Sequence, residues 1–204
     1  MNHENHDLYS YESGLRAAYP IICGVDEAGR GPLAGPVCAA ACVLPAGLVI
    51  AGLNDSKKLS EKRREALYES ITAAALAWSV CLVDEKIIDE INILQATFRA
   101  MRGAVGGLRL QPDLCLVDGN RDPGLALPTR TVVKGDATCA CVAAASILAK
   151  VTRDRLMIQY DAAYPGYGFA VHKGYGTMAH YAAIDALGLC PIHRRTFLKN
   201  RGPA

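Results

Sequence analysis

Three short apolar runs in this chain each lead into acidic residues, and this pattern restricts the fold more than any other feature. The runs and their acids are 21–25 with Asp26 and Glu27, 114–117 with Asp118, and 131–133 with Asp136. Apolar runs of this length are typical of buried strands. Strand ends along one edge of an α/β sheet converge in a crevice. The sequence therefore predicts an α/β fold with four carboxylates gathered at one edge of its sheet.

These four acids have a structural interpretation and a chemical one. A single Asp at a strand end is often structural, because Asp starts turns and caps helices. Several carboxylates in one crevice would repel one another unless cations lay between them. Oxygen ligands are also what Mg²⁺ prefers. The set therefore predicts a metal site, although Asp136 alone could instead cap the helix that follows it.

Strands and helices alternate along the chain. We predict strands at 21–25, 37–44, 78–83 and 114–118, helices from Ser60, over 93–105, after Asp136 and over 178–186, and a loop at 164–175. The helix after Asp136 is expected to bury a stripe made of Ala140, Ala144, Ile147, Val151 and Ile158. Residues 1–19 are expected to form an N-terminal tail and residues 20–204 one domain.

Composition indicates a cytoplasmic protein. A chain of 204 residues that is 51% apolar can bury a sizeable core. The longest apolar stretches, such as 37–44, fall far below the roughly 18 residues of a membrane span, and residues 1–7 lack the pattern of a signal peptide. The eight cysteines include no C-x-x-C pair and mostly follow apolar residues or alanines. They are typical of buried thiols in a reducing compartment.

Positive charge is locally dense although the formal net charge is only +2. One cluster contains Lys57, Lys58, Lys62, Arg63 and Arg64, and another contains Arg194, Arg195, Lys199 and Arg201. Runs of this kind are usually solvated helix faces. Beside a predicted metal centre, they favour phosphate binding instead.

Six motifs in order resemble the ribonuclease HII family over residues from about 20 to the end. They are Asp-Glu-Ala-Gly-Arg-Gly at 26–31, Asn-Asp-Ser-Lys-Lys-Leu at 54–59, Asp-Gly at 118–119, Lys-Gly-Asp at 134–136, Ala-Ala-Ala-Ser-Ile-Leu-Ala-Lys-Val-Thr-Arg-Asp at 143–154, and His-Lys-Gly-Tyr-Gly-Thr at 172–177. The resemblance implies a ribonuclease H-like fold, with a mixed central sheet flanked by helices and a small helical C-terminal part. It also implies Mg²⁺ or Mn²⁺, two ions per active site with substrate.

The resemblance also assigns roles to individual residues. Asp26 would bridge the two ions, with Glu27 and Asp118 on one side and Asp136 on the other. Contacts to substrate would come from Gly29, Arg30 and Gly31 at the ribose 2′-hydroxyl, Tyr175 at the sugar of an RNA-to-DNA junction, and Lys57, Lys58, Lys150 and His172 at the phosphates. Ser146 and Asp154 are weaker candidates, because helix packing and a local ion pair explain them almost as well.

The activity implied is hydrolysis of RNA paired with DNA, and nicking 5′ of ribonucleotides embedded in duplex DNA, by a monomeric enzyme. Another nuclease or recombinase of this fold would share the acids but not the glycine loop next to Tyr175. A nucleotide switch lacks support because no G-x-x-x-x-G-K-[S/T] occurs. A noncatalytic binding module would be favoured by loss of an acid, and none is lost. Asp136 in place of Glu and the short segment before residue 20 favour ribonuclease HII over ribonuclease HIII, and Thr196 stands where Ser is expected.

Overall fold

Five strands form one mixed sheet in the computed structural model, which describes residues 8–199. The strands are β1 (Ile22–Ala28), β2 (Val37–Val43), β3 (Ala77–Val83), β4 (Leu114–Asp118) and β5 (Thr129–Val132). Their order across the sheet is β3-β2-β1-β4-β5. The pairs β1–β2 and β2–β3 are antiparallel, whereas β1–β4 and β4–β5 are parallel. The carboxyl ends of β1, β4 and β5 therefore lie at the same edge of the sheet.

Helices cover both faces of the sheet. Those within residues 8–199 are α1 (Ser10–Leu15), α2 (Glu61–Ala74), α3 (Glu85–Gly106), α4 (Ala140–Ala163), α5 (Phe169–His172) and α6 (Met178–Leu187), with 3₁₀ turns at Ser56–Lys58, Gly135–Ala137 and Arg195–Phe197. None of the helices in this part of the chain is both long and apolar enough to cross a membrane.

Alternation of side chains along the strands divides the core between the two faces. Cys23, Val25 and Val117 pack with residues of α3, whereas Ile22 and Leu116 pack with the start of α4. Successive residues of a strand point to opposite faces. Because Asp26 and Asp118 follow Ile22 and Leu116 at even spacing, they point toward the α4 side.

The central strand β1 lies unusually close to α4. A Cβ placed on Gly24 would come within 2.1 Å of the backbone carbon of Cys141. Glycine at this position therefore lets the strand and the helix backbone touch. This close contact fixes the acidic end of β1 relative to the side chains that α4 presents at the same edge.

The sheet with helices on both faces confirms the predicted fold class. The predicted strands match β1 to β4 to within a few residues, except that β1 continues through the two acids to Ala28. Ser60 caps α2 as predicted, since its hydroxyl accepts a hydrogen bond from the Arg63 amide at 3.4 Å.

Three predictions about local structure need correction. The helix expected at 93–105 is present, but it is the second half of a longer helix that begins at Glu85 and is kinked at Asn92, whose φ of 67° interrupts it. Asn92 Oδ1 accepts hydrogen bonds from the amides of Leu94 and Gln95, so the side chain caps the second half of α3. Ile158, expected in the core, is 45% exposed, whereas the preceding residue Met157 is buried against Ala34 and Phe169.

The third correction concerns the segment 164–175, expected to be a loop, which contains the short helix α5. The segment before residue 20 also differs from a free tail in its described part. Leu8 packs in the core, and the buried Glu12 carboxylate accepts a hydrogen bond from the Cys141 amide at 2.5 Å. Residues 1–7 of the predicted tail, and Arg201 of the second basic cluster, lie outside the described residues.

Candidate active site

The sheet brings Asp26 and Asp118 to neighbouring positions. Val25 lies opposite Val117 in the parallel pair β1–β4, so the two acids follow as the next residues of adjacent strands. Asp136 reaches the same edge through the 3₁₀ turn after β5. The Gly135 amide donates to Asp118 Oδ1 at 2.7 Å, which ties this turn to the end of β4.

A cleft of about 290 Å³ opens at this edge. The predicted site residues that line it are Asp26, Glu27, Gly29, Arg30, Gly31, Lys57, Asp118, Lys150 and Tyr175. Asp136 is buried and contacts Lys57, one of the lining residues, with 3.3 Å between Lys57 Nζ and Asp136 Oδ2. Of the twelve predicted site residues, nine line the cleft and Asp136 contacts the lining residue Lys57, whereas Lys58 and His172 do not line it.

The acids in the cleft are held under mutual repulsion. Burial raises the pKa of Asp26 well above its usual range, and the negative charges of Glu27 and Asp118 raise this pKa further. Burial also raises the pKa of Glu27, although Arg30 opposes this shift from 3.3 Å away. Ionised carboxylates packed in this way are destabilising unless positive charge is supplied from outside the acid set.

Asp118 and Asp136 show the same electrostatic repulsion. Burial, followed by the charge of Asp136, raises the pKa of Asp118, while hydrogen bonds from the Gly135 and Asp136 amides oppose the rise. Burial by itself lowers the pKa of Lys57, but the Asp136 carboxylate raises it, and the net shift is upward. A lysine ammonium therefore supplies part of the positive charge that this cleft requires.

The donor set suits a hard divalent cation. Every acidic ligand offers carboxylate oxygen, which Mg²⁺ and Mn²⁺ prefer. Within residues 8–199, no three His, Cys, Asp or Glu side chains are arranged closely enough to form a ready-made metal cage. Mg²⁺ typically keeps several waters and binds through one or two carboxylates plus substrate phosphates. The cleft therefore fits cations that are completed by water and substrate rather than enclosed by protein.

A pair of buried serines supports the central acid. Ser146 of α4 hydrogen-bonds to Asp26, and Ser146 Oγ lies 2.8 Å from Ser56 Oγ. The pair links β1, α4 and the turn that carries Lys57. Ser146 was only a weak candidate from sequence, because a serine within a helix is usually explained by packing.

Two buried arginines bind the backbone of the glycine loop, residues 29–31, and of the segments next to it. Arg194 donates to the carbonyls of Gly29, Arg30 and Gly35 at 2.6, 2.9 and 2.9 Å. Arg153 donates to the carbonyls of Pro36, Lys173 and Ala34 at 2.9, 3.0 and 3.1 Å. Within residues 8–199 neither guanidinium has a salt bridge to a carboxylate, and burial lowers the pKa of Arg194 to about 9. Both arginines therefore donate to backbone carbonyls. Arg194 is buried, and it is not the surface residue that its basic cluster suggested.

Gly29 is the glycine of the loop that cannot be replaced without strain. Its φ is +91°, and a Cβ there would lie 2.1 Å from Arg153 Nε. Any side chain at position 29 would therefore collide with Arg153, and the loop could not keep its present conformation. Neither arginine was a predicted site residue, because all their partners except Lys173 lie more than a hundred residues away along the chain.

Tyr175 lines the cleft next to the glycine loop. Its side chain is 45% exposed, and a Cβ on Gly31 would lie 3.6 Å from the Tyr175 ring. Gly174 has φ +83°, and its carbonyl accepts a hydrogen bond from the Leu33 amide at 2.8 Å. The tyrosine ring therefore stands beside the glycine loop, as the predicted joint role of the two segments requires.

The predicted phosphate contacts fall into different positions. Lys57 and Lys150 line the cleft, and Lys150 also donates to Asp154 at 2.9 Å. Lys58 is exposed and does not line the cleft. His172 Nε2 lies 2.8 Å from the Tyr167 carbonyl, and His172 Nδ1 accepts from the Gly174 amide at 3.2 Å. Both ring nitrogens of His172 are thus engaged within the protein, which supports a role in holding the Tyr175 segment.

Comparison of the sequence with known families gives a match to ribonuclease HII over residues 23–200. The ribonuclease HII of Ruminiclostridium cellulolyticum is 55% identical over 194 residues, which cover 95% of this chain and 76% of that protein.

Solved structures share the fold. The ribonuclease H2 of Pyrococcus horikoshii OT3 aligns with a TM-score of 0.73 and 32% identity, covering 86% of this chain and 93% of that one. Bst-RNase HIII, whose crystal structure is in complex with Mn²⁺, aligns with a TM-score of 0.65 over 82% of this chain and 63% of that one. At 19% identity the second likeness supports the fold alone.

Proposed function

Because this chain belongs to the ribonuclease HII family, divalent-metal-dependent endoribonucleases that cleave RNA in RNA–DNA hybrids, we propose that it also nicks 5′ of ribonucleotides embedded in duplex DNA. The products would carry 5′-phosphate and 3′-hydroxyl ends. The observation that carries this proposal is the cleft in which Asp26 and Asp118 lie together with the glycine loop and Tyr175. The protein is proposed to act as a monomer in the cytoplasm, where its eight unpaired cysteines would stay reduced.

The four acids are proposed to hold two divalent cations. Asp26 would contact both ions, Glu27 and Asp118 would lie on one side, and Asp136 on the other. When bound, such a pair activates a water and stabilises charge on the attacking and leaving oxygens of the phosphodiester. The raised pKa values of Asp26 and Asp118 support this role. They show that the protein places too little positive charge beside these carboxylates, and bound cations would supply it. Lys57 would leave Asp136 when a cation takes its place.

Selection of RNA is proposed to occur at the glycine loop. The 2′-hydroxyl is the chemical difference between a ribonucleotide and a deoxyribonucleotide. With their carbonyls held by Arg194, Gly29 and Arg30 have their backbone fixed at the wall of the cleft. A fixed backbone can recognise a hydroxyl by position, and the nearby positive charge of Arg30, Lys57 and Lys150 would attract the phosphates on either side.

Arg194→Lys is expected to lower kcat/KM about 10- to 100-fold on ribonucleotide substrates, as misplacement of a binding element by about 1 Å does. A lysine ammonium cannot span the three carbonyls that the planar guanidinium reaches. Steady-state cleavage of a labelled hybrid measures the effect. Arg195→Lys is the matched control, because Arg195 is exposed and only its backbone amide bonds to Asp89. Equal activity of the two variants would remove the proposed role of Arg194.

Tyr175→Ala is expected to reduce cleavage at an RNA-to-DNA junction more than cleavage of a continuous hybrid. The exposed ring offers a flat apolar face to the deoxyribose after the junction. Tyr175→Phe keeps that face and should retain most junction activity. Parallel rate measurements on both substrates test the difference, and equal losses on the two substrates would contradict this role.

The proposed function is tested with a DNA duplex that contains one ribonucleotide. With Mg²⁺ or Mn²⁺ the protein is expected to cut once, on the 5′ side of that residue, while an all-DNA duplex stays intact. End labelling identifies the phosphate and hydroxyl at the nick. Cleavage of continuous hybrids without any cut at the single ribonucleotide would overturn the proposal while leaving the family assignment in place.

A further inference from the structure

Three histidine rings lie next to one another beside the Tyr175 segment, and the function proposed above uses none of them chemically. His180 and His193 are 0% and 3% exposed. The ring centres of His172 and His180 are 4.4 Å apart, and those of His180 and His193 are 5.3 Å apart. The two buried imidazoles, His180 and His193, need an account, because each ring has two polar nitrogens that must be satisfied.

The hydrogen-bond partners assign one tautomer to each buried ring. His180 Nδ1 lies 2.9 Å from the Tyr175 carbonyl oxygen, which can only accept, so Nδ1 carries the proton. In a neutral imidazole the other nitrogen, Nε2, is then an acceptor. His193 Nε2 lies 3.1 Å from it and must donate. Because Nε2 holds the proton of His193, Nδ1 is an acceptor. The Cys190 amide donates to it at 2.9 Å, and the Cys190 carbonyl, 3.2 Å away, receives no proton from it.

We infer that His180 and His193 form a neutral hydrogen-bond relay that runs from the Cys190 amide to the Tyr175 carbonyl and positions the tyrosine segment at the cleft. Both histidines are positioning residues, since neither ring lines the cleft. The inference rests on the proposed role of Tyr175 at the RNA-to-DNA junction. The relay joins the segment after α6 to the segment before it, so one end of the small C-terminal part holds the other.

Connections at both ends of the relay make it suitable for this task. The Tyr175 carbonyl also accepts from the Thr177 amide at 2.8 Å, and the Tyr175 amide donates to the His172 carbonyl at 2.9 Å. At the other end, His193 pairs with Ala34 in an isolated β-bridge. His193 is therefore linked by its ring, through His180, to the tyrosine segment, and by its backbone to Ala34, which follows the glycine loop.

The surroundings keep the relay neutral. Burial lowers the pKa of His180, and burial lowers the pKa of His193 to about 4. A proton added to His180 would set two N–H groups against each other across the 3.1 Å contact with His193. A proton added to His193 would go to Nδ1 and face the amide N–H of Cys190, 2.9 Å away. The ionisable groups around the pair are His172 on the face of His180, Tyr167 and Cys190 on His193, and Glu85, Lys86, Asp89 and Arg195 lining the hollow beside His193.

The test compares His180→Asn with His180→Leu. An Asn amide nitrogen takes the place of Nδ1 and keeps the bond to the Tyr175 carbonyl, whereas Leu fills the space without a donor. We expect His180→Leu to lose about 10-fold in junction cleavage, as loss of positioning does, and His180→Asn to stay within about 3-fold of the wild type. Both variants should keep their activity on a continuous hybrid. Equal losses by the two variants, or an equal loss on both substrates, would overturn the relay.

A double variant separates positioning from folding. If His180 acts through Tyr175, then His180→Leu should add little to the junction defect of Tyr175→Ala, because coupled residues are not additive. If the double variant showed the product of the two single defects, the inference would be overturned. Imidazole ¹⁵N NMR of the wild type is a readout that does not depend on the proposed function. It should show a proton on Nδ1 of His180 and on Nε2 of His193 at neutral pH, and the opposite tautomers would contradict the relay even in an active enzyme.

The relay also predicts how stability depends on pH. Between about pH 6.5 and about pH 4, unfolded His193 binds a proton that the folded protein excludes, so stability should fall as pH is lowered through this window. His193→Gln does not titrate and should make this part of the curve flatter. An unchanged slope in His193→Gln would show that His193 is not held neutral.

Discussion

Asp26→Asn is expected to abolish hydrolysis and, in the absence of metal, to make the protein more stable. Several kcal/mol of transition-state stabilisation by the cations would be lost, which corresponds to a decrease in kcat of about 1,000-fold or more. The gain in stability should be on the order of 1 to 2 kcal/mol, as is common when a strained functional group is neutralised. These opposite effects distinguish a metal-binding acid from a structural one.

The sign of the stability change follows from the pKa of Asp26. Burial and the neighbouring acids raise this pKa in the folded protein, so the folded state prefers the protonated form. The ionised carboxylate therefore destabilises the fold at neutral pH. Asn has no charge, and its advantage should shrink as pH falls through the raised pKa, where wild-type Asp26 becomes neutral too. Thermal unfolding in EDTA at several pH values measures this dependence.

The matched control for this prediction is Asp161→Asn. Asp161 lies on α4 fifteen residues after Ser146, which is about 22 Å along the helix. Its replacement changes the net charge by the same amount and should alter neither activity nor stability by a comparable amount. If Asp26→Asn destabilised the metal-free protein, the repulsion inferred for the acid set would be incorrect.

Asp118→Asn is expected to abolish turnover while leaving binding of the hybrid measurable. The Asn amide oxygen can still accept the hydrogen bond from Gly135 that Asp118 accepts at 2.7 Å, so the local fold should persist. The glycine loop, Tyr175 and Lys150, which are proposed to contact the substrate, are unchanged in this variant. Loss of one charged metal ligand should lower kcat by about 1,000-fold, for the same reason as at Asp26.

Separate measurements of binding and cleavage test this prediction. Fluorescence anisotropy in Ca²⁺ or EDTA gives the affinity for a labelled hybrid, and single-turnover cleavage in Mn²⁺ gives the rate. Weakened binding together with a normal cleavage rate at saturation would contradict the role assigned to Asp118. Normal turnover would remove Asp118 from the catalytic set.

The acidic edge of the sheet could be predicted from sequence because the pattern that marks it lies within a few consecutive residues. Apolar runs that end in acids mark strands and their carboxyl ends, and parallel neighbours place those ends side by side, as Val25 and Val117 do. Ser60 was predicted as an N-cap on the same basis. In each case the relevant neighbours lie within a few residues along the chain.

The supporting residues could not be predicted because their partners are distant in sequence. Arg194 bonds to carbonyls 159 to 165 residues earlier, and a carbonyl has no side-chain identity to recognise. Basic residues near the end of the chain indicate a solvated surface unless the fold is known. His180 and His193 are 13 residues apart, and the tautomers that link them depend on backbone positions alone.

The helix kink at Asn92 illustrates a different limit. Asn92 interrupts the helix with φ 67° and ψ 163°, and its side chain caps the turn that follows. Periodicity therefore indicated only the helix after Asn92. The half that begins at Glu85 was missed, although the Asp84 carboxylate that caps it accepts from the Ile87 amide at 2.9 Å.

Crystals of the wild-type protein soaked in Mn²⁺ and measured at the manganese absorption edge test the central claim most directly. The four carboxylates are proposed to gather divalent cations that offset their repulsion. An anomalous peak in direct contact with Asp26 and at least one of Glu27, Asp118 and Asp136 is the predicted result. Anomalous peaks only outside the cleft, at a Mn²⁺ concentration that supports cleavage, would contradict the account.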